Sequence, residues 1–285
     1  MSLPELPVAL GVALGALNPY FHGDVTMLAE DLGYESVWLP EHLVFTSAMS
    51  RSPYPGEAHP PVPPETPIFD AFAYLCYLAG RTERLRLATH VYNIGLRHPF
   101  VAARAAQTLD IVSGGRAIFG VGASWLEQEW VATELDFASR GRRVDECIEV
   151  CKRLWTEPEV SHHGEFFSFD GVVFEPKPTQ RPHPPVLVGG ESPAALRRAV
   201  RLGDGWVGMG HDFDSAAAQI AALRALSEGS GRSLDGFDVT LGGPVSSRAD
   251  LDRWAALGVT RLIVNPWKRG REALDGLRAL AASLT

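Results

Sequence analysis

His42 is the residue whose chemistry and position most favour a catalytic role. It follows Glu41 at the end of a short apolar segment, residues 36–39, where a strand would deliver it to one end of a sheet. An imidazole there can act as a general base or stabilise a developing charge. Glu41 can orient His42 or accept a hydrogen bond from a loop N–H group. A second histidine, His90, ends a later apolar segment and is either a proton carrier or a packed core residue.

Two glycine-rich segments have the composition of anion-binding turns, and each precedes a predicted helix. Glycine lets backbone N–H groups approach a phosphate closely, and the following helix N-terminus adds its dipole. Tight turns without a ligand are the alternative for both segments. A dinucleotide-binding fingerprint is not matched, because Trp125 stands where the third glycine would be. The candidate phosphate-binding residues are Gly122, Ala123 and Ser124 in the first segment, and Gly189, Gly190, Glu191 and the predicted helix cap Ser192 in the second.

Other histidines and cysteines do not form a metal-binding pattern. Cys147 and Cys151 are four residues apart on one face of a predicted helix, without a histidine or a second pair nearby. They are therefore interpreted as small packing residues. His162 and His163 have no carboxylate at the spacing of a metal ligand, so a packing or solvated role is expected and no metal is predicted.

Eight short apolar segments alternate with helical patterns and must position these residues. Each segment has the pattern of a strand buried on both faces, as in a parallel sheet covered by helices. A closed eightfold barrel and an open doubly wound sheet both fit, and eight units in 285 residues favour the α/β fold known as the (β/α)8 TIM barrel. Its active site would lie at the C-terminal strand ends. The predicted strands are residues 8–14, 36–39, 85–92, 117–121, 186–188, 206–208, 238–241 and 261–264.

Two segments interrupt this alternation. Residues 50–67 are rich in proline, which predicts an insertion region without regular structure. Residues 161–174 alternate Phe, Val and polar residues around Asp170-Gly171, which predicts a small hairpin. No low-complexity linker divides the chain, so residues 1–285 are predicted to form a single domain.

The composition disfavours several classes of partner. The net charge is −8 and no basic stripe is present, which argues against duplex nucleic acid and anionic membrane surfaces. No run approaches the ~20 apolar residues of a membrane helix, and the N-terminus lacks the pattern of a signal peptide. Three cysteines, an odd number, suggest a reducing compartment. We therefore expect a cytoplasmic protein that acts on a small molecule.

Ordered motifs along nearly the whole chain resemble the luciferase-like monooxygenase superfamily of flavin and deazaflavin barrel enzymes. The resemblance implies the TIM barrel with an insertion region, and commonly a homodimer. Two departures stand out, because Glu41 replaces the usual aspartate and Ser124 replaces the usual glycine before Trp125. The matching motifs are Arg97-His98-Pro99, Thr108-Leu109-Asp110, Ser113-Gly114-Gly115-Arg116, Gly120-Val121-Gly122, Leu154-Trp155, Pro176-Lys177-Pro178 and Asp204-Gly205-Trp206.

The resemblance also implies where a cofactor would bind. Both glycine-rich turns would receive its phosphate, and its ring would lie against Thr89, His90 and Val91, with a cis peptide bond at His90–Val91. The segment ending in Glu41-His42 is similar to the branch that uses coenzyme F420, a deazaflavin that passes hydride and reacts poorly with oxygen. Three functions follow: an F420-dependent oxidoreductase, an FMN-dependent monooxygenase that uses reduced flavin and oxygen, and a non-catalytic flavin-binding barrel.

Overall fold

Eight parallel strands form a closed barrel in a computed structural model, which describes residues 2–15, 17–47, 49 and 62–285. The barrel strands are Ala9–Ala13 (β1), Ser36–Leu39 (β2), Arg86–Thr89 (β3), Ala117–Val121 (β4), Val186–Gly189 (β7), Gly205–Gly210 (β8), Asp238–Gly242 (β9) and Arg261–Val264 (β10). Around the barrel they follow the order β1-β10-β9-β8-β7-β4-β3-β2. Each strand therefore lies beside its neighbours in the chain, and the predicted TIM barrel is confirmed.

Helices cover the outside of the barrel and connect successive strands. Gly33, with φ +83°, ends the first helix where the sequence predicts it, and Ser192 Oγ accepts the Ala195 N–H as the predicted cap. The α-helices are His22–Leu32 (α1), Ala71–Ala79 (α2), Pro99–Val112 (α3), Glu127–Ala132 (α4), Arg140–Thr156 (α5), Pro193–Leu202 (α6), Phe213–Ser230 (α7), Arg248–Leu257 (α8) and Ala273–Leu284 (α9).

The core has two layers, as barrel closure requires. Alternate residues of each strand point inward or outward, so the outward set packs on the helices and the inward set fills the barrel. Six strands each contribute one residue to a buried inner cluster. Its members are Trp38, Ala88, Ile118, Leu187, Val207 and Ile263. The barrel is therefore a filled core rather than a channel, and a ligand would have to bind at its end.

An ion-pair network closes the end opposite the predicted site. Arg261, at the start of β10, pairs with Asp238 at 2.7 Å and Glu35 at 2.8 Å. The Arg261 guanidinium contributes to holding the pKa of the Asp238 carboxyl low, despite burial that acts to raise it. Since this network joins residues at the starts of β10, β9 and β2, at the end of the barrel opposite the predicted site, its role is in stability rather than in chemistry.

The predicted hairpin is present, but its turn is not at Asp170-Gly171. Its strands are Val160–His163 (β5) and Ser168–Val172 (β6), so residues 164–167 make the turn and Asp170-Gly171 lies inside β6. The pairing shifts register there, Gly171 has φ +61°, and its N–H donates to Ser161 Oγ. The Asp-Gly pair therefore forms a bulge, which needs a left-handed glycine just as a turn does.

Most of the predicted proline-rich insertion, residues 50–61, lies outside the described residues, and residues 62–67 contain turns without helix or strand. None of the helices in the described ranges is both long and apolar enough to cross a membrane.

Candidate active site

The barrel places the predicted site residues on four consecutive strands. In the closed order, β7, β4, β3 and β2 are neighbours, and their C-terminal ends carry every residue predicted to bind a cofactor or to act in catalysis. Val121 pairs with Val188, so the two glycine-rich turns leave adjacent strands at the same level. One half of the barrel mouth therefore brings together residues that are far apart in the sequence.

His42 is held by a buried carboxylate that the sequence analysis did not select. Its Nδ1 lies 3.0 Å from Glu129 Oε2, and the side chains of His42 and Glu129 are 14% and 0% exposed. Trp125 and Phe45 flank the imidazole, with ring centroids 5.7 and 4.8 Å away. Among the described residues, none hydrogen bonds to His42 Nε2. The carboxylate favours a proton on Nδ1, which leaves the Nε2 lone pair free to accept one.

Glu129 lies on α4 and accepts hydrogen bonds from several groups at once. The Leu43 N–H donates to its Oε1 at 2.5 Å, and the Ser124 hydroxyl lies 3.2 Å from its Oε2. Ser124 itself has φ +58°, a left-handed conformation that favours glycine. The helical spacing of Leu126, Glu129 and Trp130 is the signal that could have identified Glu129, because it puts the carboxylate on the apolar, buried face.

Glu41 does not orient His42, so that part of the expectation is wrong. No hydrogen bond or ion pair joins Glu41 to His42 in the described structure, because the Glu41 carboxylate has other partners. Its Oε2 accepts the Asn93 N–H at 2.9 Å, which is the other predicted role, and its Oε1 lies 2.5 Å from Arg97 Nη2. The Arg97 guanidinium also lies 4.2 Å from the centroid of the Tyr92 ring. Glu41 therefore anchors the segment after β3 to the segment after β2.

The end of β3 differs in its contacts from a regular strand. The His90–Val91 peptide bond is cis, as the resemblance implied. Thr89 is fully buried and its hydroxyl donates to the Gly120 carbonyl at 2.7 Å, so it supports the strand end rather than lining the mouth. His90 is half-buried with its ring edge-on to Trp38, and desolvation lowers its pKa to about 4. His90 is therefore neutral at neutral pH.

Val91 explains two of the predicted glycines. A Cβ at Gly122 would lie 2.5 Å from Val91 Cγ2, and one at Gly189 would lie 2.8 Å from Val91 Cγ1. The Gly122 N–H already donates to the Tyr92 carbonyl at 2.9 Å. These two glycines make room for Val91, and the Gly122 N–H is already used, so the place of Gly122 in the phosphate-binding turn stays a prediction.

The remaining residues of both turns offer unpartnered N–H groups. In the described parts of the chain, no acceptor is hydrogen-bonded to the backbone N–H of Ala123, Ser124, Glu191 or Ser192. Gly190, which precedes Glu191, has φ +118°, and its carbonyl accepts the Trp206 indole N–H at 2.9 Å. The two adjacent turns therefore have the free donors that a phosphate group requires.

The Glu191 side chain and the two cysteines of α5 make structural contacts. Glu191 Oε1 accepts the Met209 N–H at 2.6 Å, and its Oε2 lies 3.2 Å from His211 Nε2. Cys147 and Cys151 are buried in the core against α3, as predicted. Within the described ranges, no group of three His, Cys, Asp or Glu side chains is placed to hold a metal ion.

The comparison with family models decides the assignment. The model described as luciferase-like monooxygenase matches residues 9–263, nearly the whole barrel. The chain belongs to the luciferase-like monooxygenase family. Its fold and its family agree with the resemblance found in the sequence.

Relatives of this luciferase-like protein include users of both cofactors. An uncharacterized protein of Mycobacterium tuberculosis is 34% identical over 229 residues, 77% of this chain and 78% of that one. The F420-dependent glucose-6-phosphate dehydrogenase of Kineococcus radiotolerans is 29% identical, covering 89% and 74%. The FMNH2-dependent dimethylsulfone monooxygenase of Pseudomonas putida is 33% identical, but over only 55% of this chain and 44% of that one.

Solved structures support the fold of this luciferase-like protein. The monooxygenase RslO1 of Streptomyces bottropensis superposes with a TM-score of 0.75 at 22% identity, covering 97% of this chain and 98% of that one. The F420-dependent tetrahydromethanopterin reductase of Methanopyrus kandleri gives 0.77 at 16% identity with the same coverage. At such identities the similarity extends to the fold and not to the substrate.

The neutral state of His90 predicts a specific loss of stability in acid. Its folded pKa of about 4 lies below 6.5, the ordinary value, so between these pH values the unfolded chain binds a proton that the folded chain does not. Lowering the pH from 7 to 5 should therefore cost the wild type about 2 kcal/mol more than His90→Asn, which has no titrating ring. Urea unfolding at both pH values measures the difference. Equal acid losses in the two proteins would contradict the desolvated imidazole.

Proposed function

We propose that this protein is an F420-dependent oxidoreductase that moves a hydride between the deazaflavin and a small organic substrate. The observation that carries the proposal is His42, whose Nδ1 contacts the buried Glu129 and whose Nε2 has no described partner. Removal of a hydride from an alcohol or amine carbon, or its addition to a carbonyl or imine carbon, must be matched by a proton transfer. His42 has the position and the free lone pair to make that transfer.

The two glycine-rich turns fit the phosphate of such a cofactor. The unpartnered N–H groups of Ala123, Ser124, Glu191 and Ser192 would hold the phosphate. Gly190 permits the backbone conformation of its turn, since φ +118° would strain any other residue, and it places no side chain beside the phosphate. The half-buried His90 and Val91 would lie against the ring. Bound there, the deazaflavin supplies a ring carbon that accepts or releases a hydride.

The residues of the chain handle the proton. Loss of a hydride from an alcohol carbon leaves the hydroxyl proton to be removed, and His42 Nε2 accepts it. Glu129, 3.0 Å from Nδ1, then stabilises the imidazolium without leaving its buried position. In the opposite direction the imidazolium returns the proton to the oxygen.

Two other functions remain alternatives. The Pseudomonas relative favours an FMN-dependent monooxygenase, although its match covers just over half of this chain. The match to the F420-dependent relative covers 89% of the chain, which is the greater part of the barrel, and this supports the F420-dependent function. A non-catalytic flavin-binding barrel would not require a histidine fixed by a buried carboxylate.

Cofactor titration tests the proposal. We expect the purified protein to bind F420 at least about tenfold more tightly than FMN, a difference of ~1.4 kcal/mol in binding free energy. Fluorescence of the cofactor, followed during titration with protein, measures both affinities. Equal or tighter binding of FMN would favour the monooxygenase instead.

The same titration tests the turns. Gly190→Val should weaken binding, because the branched side chain meets Ala195 and is strained at φ +118°. Gly229→Val is the matched control, since that glycine lies at the exposed end of α7 with nothing within 4 Å of an added Cβ. If Gly190→Val folds and binds as the control does, the phosphate position is wrong.

A further inference from the structure

A cleft of about 520 Å³ opens at the barrel mouth beside β10, away from the glycine-rich turns. It is lined by Asn18 and Phe21 from the segment after β1, and by Arg269, Gly270 and Arg271 from the segment after β10. Because β1 and β10 are parallel neighbours, both segments leave the end of the barrel that carries His42. The cleft is therefore part of the same mouth but lies on a different side of it.

The wall of the cleft carries positive charge in a chain whose net charge is −8. Lys268, Arg269 and Arg271 are exposed, and within the described ranges no carboxylate lies at ion-pair distance from their side chains. Two carboxylates follow in the chain, Glu272 and Asp275, and neither makes an ion pair with these three cations in the described structure. Glu272 accepts the Arg269 backbone N–H at 3.2 Å, and Asp275 pairs with Arg278 at 3.1 Å. In the described part of the chain, three cations within four positions therefore make no ion pair.

The backbone that carries these cations is held in place by packing. A Cβ at Gly270 would contact Leu17 Cδ2 at 3.5 Å and Phe21 at 3.8 Å, so the two segments touch. On the other side, a Cβ at Gly276 would lie 2.1 Å from the Pro266 carbonyl oxygen, which shows how closely α9 approaches the segment. The arginines therefore extend from a supported backbone rather than from a free loop.

We propose that this cleft binds an oxyanion group of the substrate, a carboxylate, sulfonate or phosphate, while the organic part lies toward Phe21 and His42. That the bound molecule is a substrate rests on the proposed function. Arginine recognises such groups through paired N–H donors. Barrel enzymes frequently bind phosphate in the loops after the last two strands, and this cleft lies against the loop after β10.

The strand order fits a substrate that reaches from the cleft to His42. β10 and β2 both flank β1, so the segments that carry the cleft and His42 leave the barrel two strand positions apart. The cofactor phosphate is assigned to the turns after β4 and β7, which leaves the positive cleft free for a second anion.

Arginine modification tests this site without a cofactor or a known substrate. The chain is treated with 2,3-butanedione, and the reaction rate of each arginine is followed by mass spectrometry in inorganic phosphate or in sodium chloride of equal ionic strength. We expect phosphate to slow modification of Arg269 and Arg271 by about threefold, as two-thirds occupancy would. Arg84, exposed near the start of β3 at the opposite end, is the matched control and should react equally in both salts.

The outcomes separate this site from the proposed function. Equal rates in both salts at Arg269 and Arg271, or equal slowing at Arg84, would overturn the oxyanion site whatever cofactor binds. Once turnover is established, Arg269→Gln/Arg271→Gln should raise KM for an anionic substrate at least about tenfold and leave F420 affinity unchanged. An unchanged KM would also overturn it. Phosphate protection without F420 binding would support the oxyanion site and overturn only the cofactor proposal.

Discussion

We expect His42→Ala to lower kcat by about 10²–10⁴, the usual contribution of a general acid or base. The variant loses the Nε2 lone pair that would take the substrate proton, and no described side chain replaces it at that position. F420 affinity should change little, because the proposed phosphate contacts belong to other strands. Steady-state kinetics with a substrate found by screening for reduction or oxidation of bound F420 measures kcat, and a fluorescence titration measures affinity.

His162→Ala is the matched control for this experiment. His162 also lies 3.0 Å from a glutamate, Glu146, and the two side chains are 15% and 10% exposed. The pair joins the hairpin to α5 on the outside of the barrel, so its loss should leave kcat unchanged. Turnover of His42→Ala equal to that of the control would reduce His42 to a support for its loop and would make His90 the next candidate.

Most of the barrel was predictable because its pattern is local and repeated. Each strand is a short apolar segment next to a helical pattern, and capping residues such as Gly33 and Ser192 mark helix ends within one turn. The predicted third strand ran to residue 92, whereas β3 ends at Thr89. Hydrophobicity continues through Val91 and Tyr92, so apolar composition alone does not show that regular strand pairing has ended at Thr89.

The contacts within the site were harder to predict because they join distant residues. Glu129 is 87 positions from His42, and Arg97 is 56 positions from Glu41. Adjacency in sequence suggested a Glu41–His42 pair, but the Glu41 carboxylate accepts hydrogen bonds from the Asn93 N–H and from Arg97 instead. The packing role of Gly122 was also not predictable, since only the three-dimensional structure shows that Val91 occupies the space a Cβ would fill.

The family and the fold do not determine the cofactor, so the contacts within the site must be used to argue for one. Relatives named as F420-dependent and FMNH2-dependent enzymes belong to the same family, so the scaffold does not distinguish hydride transfer from oxygen chemistry. What this chain adds is a histidine at the mouth whose Nδ1 contacts a buried carboxylate. The carboxylate that fixes it is therefore the most informative residue after His42 itself.

Glu129→Gln should lower kcat by about 10²–10⁴ although His42 remains in place. The carboxylate accepts a proton-bearing Nδ1, whereas the glutamine amide can keep its oxygen on the Leu43 N–H and turn its NH2 group toward His42. Nδ1 would then accept a hydrogen bond, the ring proton would move to Nε2, and the lone pair that takes the substrate proton would be lost. Glu129 is in this sense a positioning residue.

The histidine tautomer is the readout that separates this role from a merely structural one. Nitrogen NMR of labelled protein should show His42 protonated on Nδ1 in the wild type and on Nε2 in Glu129→Gln, with F420 affinity retained. Glu149→Gln, the same change at an exposed position of α5, is the control and should alter neither the tautomer nor kcat. Low turnover with the tautomer unchanged would mean that Glu129 supports only the packing of α4. Full turnover with the tautomer inverted would mean that His42 does not act through Nε2, because a ring that already carries its proton there has no lone pair with which to accept the proton of the substrate.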